Sequence, residues 1–309
     1  MPDNEQSVPQ PHPPSPSPSA ERGQEVQPQA PSPSPSVERG QEERKEQAVP
    51  FRVLVIGDVV GSPGREMLRD HVRPYAKANA IDFVIANGEN AAGGLGISGP
   101  IAAQFFEWGV DVITTGDHVW KKKDIIQTIQ TDIRIVRPAN YPSESPGRGW
   151  TCVRALSGQM VGVVNLVGRT YMQPADCPFK AADAAIADLR QRTNVIFVDM
   201  HAEATSEKVA MGWHLDGRAS GVFGTHTHVQ TADDRVLPGG TAYITDIGMV
   251  GGHDSILGRR KEAVLKKFIT NLPEPFDVAA GDPRLCGALI TVDPATGKAL
   301  AIERVVIKR

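Results

Sequence analysis

Three short apolar segments in the first part of the chain each end in a glycine-containing stretch that carries an acid. Residues 51–56 lead to Asp58, residues 81–86 to Glu89 and residues 110–115 to Asp117. Continuous apolar runs of this kind are typical of parallel strands whose two faces are both covered. In open α/β sheets the carboxyl ends of such strands share one edge, where active sites lie. The sequence therefore predicts an α/β fold with acidic groups gathered at one sheet edge.

In the rest of the pattern, predicted helices alternate with further predicted strands. Helices are predicted at residues 65–78, 101–108, 181–191 and 261–271, and further strands at 161–166, 195–201, 219–223 and 241–246. Residues 285–292 and 299–307 flank a turn-forming stretch and predict a closing hairpin. Residues 124–155 are expected to be irregular. Their loops could line a substrate cleft, with Tyr141 stacking on a base and Arg148 meeting a phosphate, or could be ordinary surface loops.

Residues 1–50 have a different composition. They consist largely of Pro, Ser, Gln, Glu and Arg, and residues 14–25 recur almost unchanged as residues 31–42. Such a segment cannot bury enough apolar surface to offset the entropy lost on ordering. The predicted organisation is a disordered tail over residues 1–50 and one folded domain over residues 51–309. The tail is interpreted as a dispensable extension, with a spacer or a ligand for a proline-binding module as the alternative.

Charge and cysteine content exclude several classes of protein. The formal net charge of −3 over 309 residues gives no electrostatic basis for general nucleic-acid binding. The three cysteines are scattered and odd in number, which argues against a disulfide framework and predicts a cytoplasmic protein. We expect no membrane partner, because no apolar run approaches the length of a bilayer span. Self-association and partners of the tail stay open.

A His-Thr-His sequence follows the predicted strand at residues 219–223. His226 and His228 are two positions apart, so their rings point to the same side if the strand geometry continues. Neutral imidazoles placed in this way can bind one metal ion or two adjacent ions. Alone, the pair is weak evidence, since histidines with this spacing are more often ordinary surface or core residues. Its weight comes from the other polar residues at strand ends.

The residues at predicted strand ends form a mixed set of carboxylate, amide and imidazole groups. They are Asp58, Glu89, Asn90, Asp117, His118, His201, His226 and His228. This mixture suits manganese, iron or zinc better than calcium or magnesium, and it is large enough for two ions. Two metal ions clamp the attacking and leaving oxygens of a displacement at phosphorus, a bridging water serves as the nucleophile, and a histidine outside the ligand set can protonate the leaving group.

Longer motifs around these residues resemble the YmdB-type branch of the calcineurin-like metallophosphoesterases. The matching segments are residues 57–61 (GDVVG), 87–94 (NGENAAGG), 115–118 (TGDH), 199–208 (DMHAEATSEK) and 224–229 (GTHTHV). The resemblance runs from about residue 51 to the C-terminus. It implies a four-layer αββα sandwich and a dinuclear centre, commonly of iron or manganese. It also implies hydrolysis of cyclic nucleotides, chiefly 2′,3′-cyclic nucleoside monophosphates to 3′-nucleotides.

The resemblance also implies a role for each residue at the centre. Asp58 and His228 would bind the first metal ion, and Glu89 would bridge the two ions. Asp117, His201 and His226 would bind the second ion. Asn90 would lie beside the metals and contact metal or substrate, and His118 would be the general acid.

Two positions depart from the patterns of the resembling proteins. The wider superfamily opens with Asp-x-His, whereas Asp58 is followed by Val59 and Val60, a feature that the YmdB-type branch shares. Asp117 stands where that branch has asparagine in a Gly-Asn-His motif. With two divalent ions, a bridging hydroxide and two carboxylates, an asparagine site carries a charge of about +1 and an aspartate site about 0. We therefore expect weaker attraction for an anionic phosphodiester, or a preference for a mixed-valence pair of metals.

Two other functions stay open. A phosphomonoesterase or another phosphodiesterase would use the same metal clamp, and the selecting loops cannot be identified from the sequence. A regulatory or scaffold protein with a degenerate metal site would recruit partners through the tail, and Asp117 is the feature that favours it.

Overall fold

The computed structural model describes residues 49–309. The predicted tail falls almost entirely outside the described residues, and so its disorder stays a prediction. The strands are β1 Phe51–Ile56, β2 Asp58–Val59, β3 Phe83–Asn87, β4 Val112–Thr114, β5 Ile135–Val136, β6 Trp150–Arg154, β7 Met160–Val167, β8 Ile196–His201, β9 Gly221–Thr225, β10 Arg235–Val236, β11 Ala242–Ile244, β12 Met249–Gly252, β13 Pro283–Val292 and β14 Ala299–Lys308. The helices are α1 Gly61–Ala78, α2 Gly99–Glu107, α3 Ile125–Thr131, α4 Pro178–Leu189, α5 Thr205–His214 and α6 Lys261–Thr270.

The strands form two sheets. In the first, β1, β3, β4 and β5 are parallel neighbours, β13 pairs antiparallel with β1 and β12, β14 pairs with β13, and the short β2 pairs with β12. The second sheet has the order β10-β11-β9-β8-β7-β6, and its four central strands are parallel. Each sheet thus presents the carboxyl ends of several parallel strands at one edge.

Alternating side chains of the strands face two different layers. From β1, Val53 and Val55 pack into an apolar core shared with Val163 and Phe197 of the second sheet. The alternate residues of the first sheet pack with α1, α2 and α3, and those of the second sheet with α4 and α5. This division follows from the period of two along a strand. The αββα sandwich expected from the sequence is confirmed.

The expectation of irregular structure between residues 124 and 155 is wrong in part. This stretch contains α3, β5 and β6. Strand β5 has only two residues and is therefore too short to show a period, and β6 lies at a sheet edge directly after a loop rich in Pro, Gly and Arg. Helix α5 and strand β12 were also not expected, the latter because it ends in two glycines. The closing hairpin is confirmed as β13 and β14.

None of the six helices among residues 49–309 is both long enough and apolar enough to cross a bilayer.

Candidate metal centre

The carboxyl edges of the two sheets meet at one place. Asp58 follows β1, Glu89 follows β3 and Asp117 follows β4 in the first sheet, while His201 ends β8 and His226 follows β9 in the second. His201 Nε2 lies 3.2 Å from Glu89 Oε1 and 3.1 Å from Asp117 Oδ1. The structure therefore brings together residues that are far apart in the sequence.

One group of four residues has the geometry of a metal site. Glu89, Asp117, His201 and His226 each offer one ligand atom, and these atoms all lie within 4.8 Å of one another. His226 Nδ1 is 3.1 Å from His201 Nε2 and 3.4 Å from Asp117 Oδ1. Glu89 and His201 are buried, whereas the other two side chains are partly exposed, so the group opens to solvent on one side.

A second group adjoins the first through Glu89. His228 Nε2 lies 3.8 Å from Asp58 Oδ1, and the Asn90 side-chain amide lies 3.3 Å from the same imidazole nitrogen. That amide also donates to Glu89 Oε1 at 3.1 Å. Glu89 thus stands between the two groups, as a bridging ligand would.

His118 lies at the open side of the centre. Its backbone N–H donates to Glu89 Oε2 at 3.1 Å, and its Nδ1 is 2.8 Å from Asn90 Oδ1. These contacts fix the ring orientation, while 26% of the side chain stays exposed. The burial of the imidazole alone would lower its pKa, but Glu89 and Asp117 outweigh burial and raise the pKa of His118. The ring can therefore carry a proton next to solvent.

The hydrogen bonds around His201 indicate which of its ring nitrogens carries the lone pair that could bind a metal ion. Thr225 Oγ1 donates to Asp199 Oδ1 at 2.6 Å, and so it accepts from His201 Nδ1 at 2.8 Å. In the neutral ring, Nε2 then presents a lone pair towards the carboxylates of Glu89 and Asp117. Lone pairs and anions repel one another at these distances unless a cation lies between them. Metal-binding histidines usually donate from their other ring nitrogen to an orienting acceptor in this way.

Two further observations fit metal ions. Asp58 is fully buried, and its Oδ1 has no hydrogen-bond partner among residues 49–309, while its Oδ2 accepts from the backbone N–H of His226. A buried carboxylate oxygen without a partner is unfavourable unless a cation binds it. Gly116 lies against the ligand atoms, and a Cβ there would overlap Glu89 and His201. The residues present therefore fit the metal centre that the sequence predicts.

The pKa shifts at the centre show a strongly anionic environment. Burial alone would lower the pKa of His201, but the neighbouring Glu89, Asp117 and Asp58 raise it well above its ordinary value. Burial would raise the pKa values of Glu89 and Asp117, yet their histidine neighbours lower both. Asp58 differs, because burial outweighs the attraction of His228 and His201 and raises its pKa. A metal ion would compensate the same negative charge that a proton on His201 compensates.

Sequence reasoning missed the residues that orient the ligands. Asp199 is buried, accepts from Thr225 and Thr114, and has a pKa that burial raises to about 6. Its position two residues before His201 on β8 places both side chains on one face of the sheet, a signal that could have identified it. Glu203 lies 3.2 Å from His226 Nε2 and orients that ring from the solvent side.

The loop that carries His226 and His228 has a strained backbone. Their φ angles are 91° and 63°, in the left-handed region that residues with a side chain rarely adopt. A buried ion pair holds the residue between them. Lys208 Nζ donates to Thr227 Oγ1 at 2.9 Å and to Asp246 Oδ2 at 2.8 Å, and Asp246 Oδ2 also accepts from the backbone N–H of Thr227. Strain of this kind is maintained only where surrounding contacts enforce it.

Comparisons with known proteins agree with this architecture. The model of a family described as YmdB-like protein matches residues 54–305. The chain is 52% identical over 256 residues to a 2′,3′-cyclic-nucleotide 2′-phosphodiesterase of Bacillus subtilis strain 168, covering 83% of this chain and 97% of that protein. A solved structure of a hypothetical protein from Thermus thermophilus is 40% identical, with a TM-score of 0.78 and coverage of 84% of this chain and 100% of that one. A structure described as a novel phosphatase from Mycoplasma pneumoniae is 33% identical, with a TM-score of 0.79 and coverage of 84% and 94%.

Proposed function

Since the chain belongs to the YmdB-like protein family, we propose that it is a metal-dependent phosphodiesterase that hydrolyses 2′,3′-cyclic nucleoside monophosphates to 3′-nucleotides. The observation that carries the proposal is the 52% identity over 256 residues to the Bacillus subtilis enzyme of that activity. The group of potential ligands at the carboxyl edges of the two sheets supports it.

The proposed metal ligands are the residues assigned from the sequence. Asp58 and His228 would hold the first ion with Asn90 beside it, Glu89 would be shared by both ions, and Asp117, His201 and His226 would hold the second ion. Iron or manganese is the proposed metal, because the YmdB-type branch commonly holds these ions and mixed oxygen and imidazole ligands suit them. When bound, the metals would activate water and stabilise negative charge on the phosphoryl group.

His118 is proposed as the general acid. In the reaction, the oxygen of a water molecule forms a bond to phosphorus, and the bond between phosphorus and the ribose 2′ oxygen breaks. The leaving 2′ oxygen takes a proton, and the phosphate stays on the 3′ oxygen. Its contacts with Asn90 and Glu89 support this role, because they hold the ring at the open side of the centre. A general acid must lie within hydrogen-bond reach of the leaving oxygen.

We expect His118→Ala to lower kcat on 2′,3′-cyclic AMP by roughly 10²–10⁴-fold, the usual contribution of general acid–base catalysis. Metal content, measured by elemental analysis, should stay at the wild-type value if His118 is not a ligand. His71→Ala, a partly exposed histidine of α1, is the matched control and should change neither quantity. A kcat of His118→Ala close to that of the wild type would contradict the general-acid role.

Asp117→Asn tests the charge of the centre. The substitution introduces the asparagine that the YmdB-type branch has at this position, and it raises the charge of the site from about 0 to about +1. We expect a lower KM for 2′,3′-cyclic AMP, because a more positive site attracts the anionic diester. The measurement is steady-state kinetics of the wild-type protein and of Asp117→Asn, each loaded with manganese and, separately, with iron. An unchanged or higher KM at full metal occupancy would argue against the electrostatic explanation.

A phosphomonoesterase is the second candidate, favoured by the similarity to the structure described as a novel phosphatase. Comparing the turnover of 2′,3′-cyclic AMP with phosphate release from 2′-AMP and 3′-AMP separates the two activities. The regulatory alternative requires a site that binds metal poorly, and the elemental analysis of the wild-type protein tests it directly.

A further inference from the structure

A cavity of about 710 Å³ lies where β5, β6 and the end of α4 come together. Its wall contains the guanidinium-bearing residues Arg137, Arg148 and Arg192 and the aromatic residues Tyr141 and Trp150. A cavity of this size is sufficient for a ligand as large as a nucleotide. None of its lining residues belongs to the ligand set of the candidate metal centre.

Arg137 is a buried cation without an acidic partner. The residue is only 5% exposed, and its guanidinium donates to the backbone oxygens of Pro138, Ser145 and Pro146. Burial lowers the pKa of Arg137, and no carboxylate among residues 49–309 offsets that effect. A buried charge is unfavourable unless an opposite charge accompanies it. An anionic group bound in the cavity would provide that charge.

The other charged residues of the cavity leave its net charge positive. Arg192 pairs with Asp188 at 3.6 Å, and Asp188 also accepts from the indole N–H of Trp150 at 2.9 Å. Asp176 is the second acid of the lining. Arg148 is exposed and forms no ion pair within 4 Å in the described part of the chain, and its charge contributes to lowering the pKa of Asp132. Its exposed guanidinium can meet an anion in the cavity. Tyr141 and Trp150 offer aromatic rings on which a base can stack.

The cavity adjoins the metal centre through the pairing of β4 with β5. Thr114 is opposite Val136, and Thr115 Oγ1 donates to the backbone oxygen of Val136 at 2.9 Å. Arg137 follows Val136 directly, just as Gly116 and Asp117 follow Thr115. Paired strands are about 4.8 Å apart, so Arg137 in the cavity wall lies roughly one strand spacing from the loop that carries Asp117.

Tyr141 connects the two regions. Burial raises the pKa of Tyr141 to about 12, and the negative charges of Asp117 and Glu89 add to that effect. The phenol therefore lies within electrostatic range of the metal centre while its residue lines the cavity.

We propose that this cavity binds the nucleotide that precedes the reacting one, so that the preferred substrate is a short RNA whose 3′ end carries a 2′,3′-cyclic phosphate. The inference rests on the proposed phosphodiesterase function. A cyclic mononucleotide has one phosphate, which the reaction places at the metals, and it leaves Arg137 and Arg148 without an anion. In a dinucleotide, the internal phosphodiester lies one nucleotide away from the reacting phosphate. It supplies the anion that Arg137 and Arg148 otherwise lack. The net charge of −3 argues against a longer nucleic-acid surface.

The test compares 2′,3′-cyclic AMP with adenylyl-adenosine 2′,3′-cyclic phosphate as substrates of the metal-loaded protein. We expect kcat/KM to be about tenfold or more higher for the dinucleotide, the size of effect that one charge-assisted hydrogen bond produces. Arg148→Ala should remove most of this preference, because it should lower kcat/KM for the dinucleotide far more than kcat/KM for the mononucleotide. The preference should also decline as salt concentration rises, since it depends on a phosphate contact. Arg154→Ala, an exposed arginine of β6 outside the cavity, is the matched control.

A binding measurement separates this inference from the proposed function. Adenylyl-adenosine without a terminal phosphate should change the tryptophan fluorescence of the protein, to which Trp150 contributes. Arg148→Ala should weaken its binding about tenfold, the loss of one charge-assisted contact. Equal kcat/KM for the two cyclic substrates, unaffected by Arg148→Ala, would overturn the cavity assignment and leave the phosphodiesterase function in place. Binding of adenylyl-adenosine that depends on Arg148, without turnover of either cyclic substrate, would support the cavity and defeat the proposed function.

Discussion

Gly116→Ala should give a folded protein that binds no metal and whose phosphodiesterase activity falls to background. The φ angle of Gly116 is outside the left-handed region, and so the backbone accepts alanine. The added methyl group, however, would overlap Glu89 Oε2 and His201 Nε2, which belong to two of the residues assigned to the metals. Both side chains are buried and cannot move away freely. The methyl group would thus displace Glu89 and His201 from the arrangement that would hold the metals.

Overpacking of this kind costs about 1–3 kcal/mol, a fraction of the roughly 5–15 kcal/mol that stabilises an ordinary domain. The variant should therefore still unfold cooperatively in urea. Metal content by elemental analysis and turnover of 2′,3′-cyclic AMP are the two measurements. Gly281→Ala is the matched control, because its φ angle is also ordinary and its added Cβ would lie 3.1 Å from the exposed side chain of Asp254. Full metal occupancy in Gly116→Ala would show that the metals bind elsewhere.

Much of the centre could be predicted from the sequence because its ligands stand at the ends of short apolar strands. Asp58, Glu89 and Asp117 come after three parallel strands, and the shared edge follows from that topology. The sequence pattern does not show how the two sheets pack against each other. The 3.2 Å contact between His201 and Glu89 depends on how the sheets pack face to face, and no local period encodes that packing.

The supporting residues were harder to predict for a different reason. Lys208 has the sequence appearance of a solvated helix residue, yet its side chain is fully buried in the structure. Arg137 follows a strand of only two residues, which is too short to be recognised, and so its place at the same edge as Asp117 was not apparent. In both cases the function of a charged residue is determined by burial, which the identities of neighbouring residues do not reveal.

Lys208→Met should lower the free energy of unfolding by about 3–5 kcal/mol, because it leaves the buried carboxylate of Asp246 without its cation. Both side chains of this pair have no exposed surface. Methionine approximates the length of lysine, so the loss reflects charge rather than a cavity. The measurement is urea denaturation of the metal-free protein, which separates this effect from any change in metal binding. Lys180→Met in α4, an exposed lysine, is the control and should change stability by less than about 0.5 kcal/mol.

The same substitution should weaken metal binding. Lys208 and Asp246 together hold Thr227, and Thr227 lies between two histidines whose backbones are in the left-handed region. Without that support the loop can relax, and we expect metal affinity to fall about 10–100-fold, as when a residue that orients a ligand is lost. Adding Asp246→Asn to Lys208→Met removes the unpaired charge and should restore part of the stability but not the metal affinity. If the double variant regained both, the ion pair would contribute to folding alone, and the strained loop would be held by other contacts.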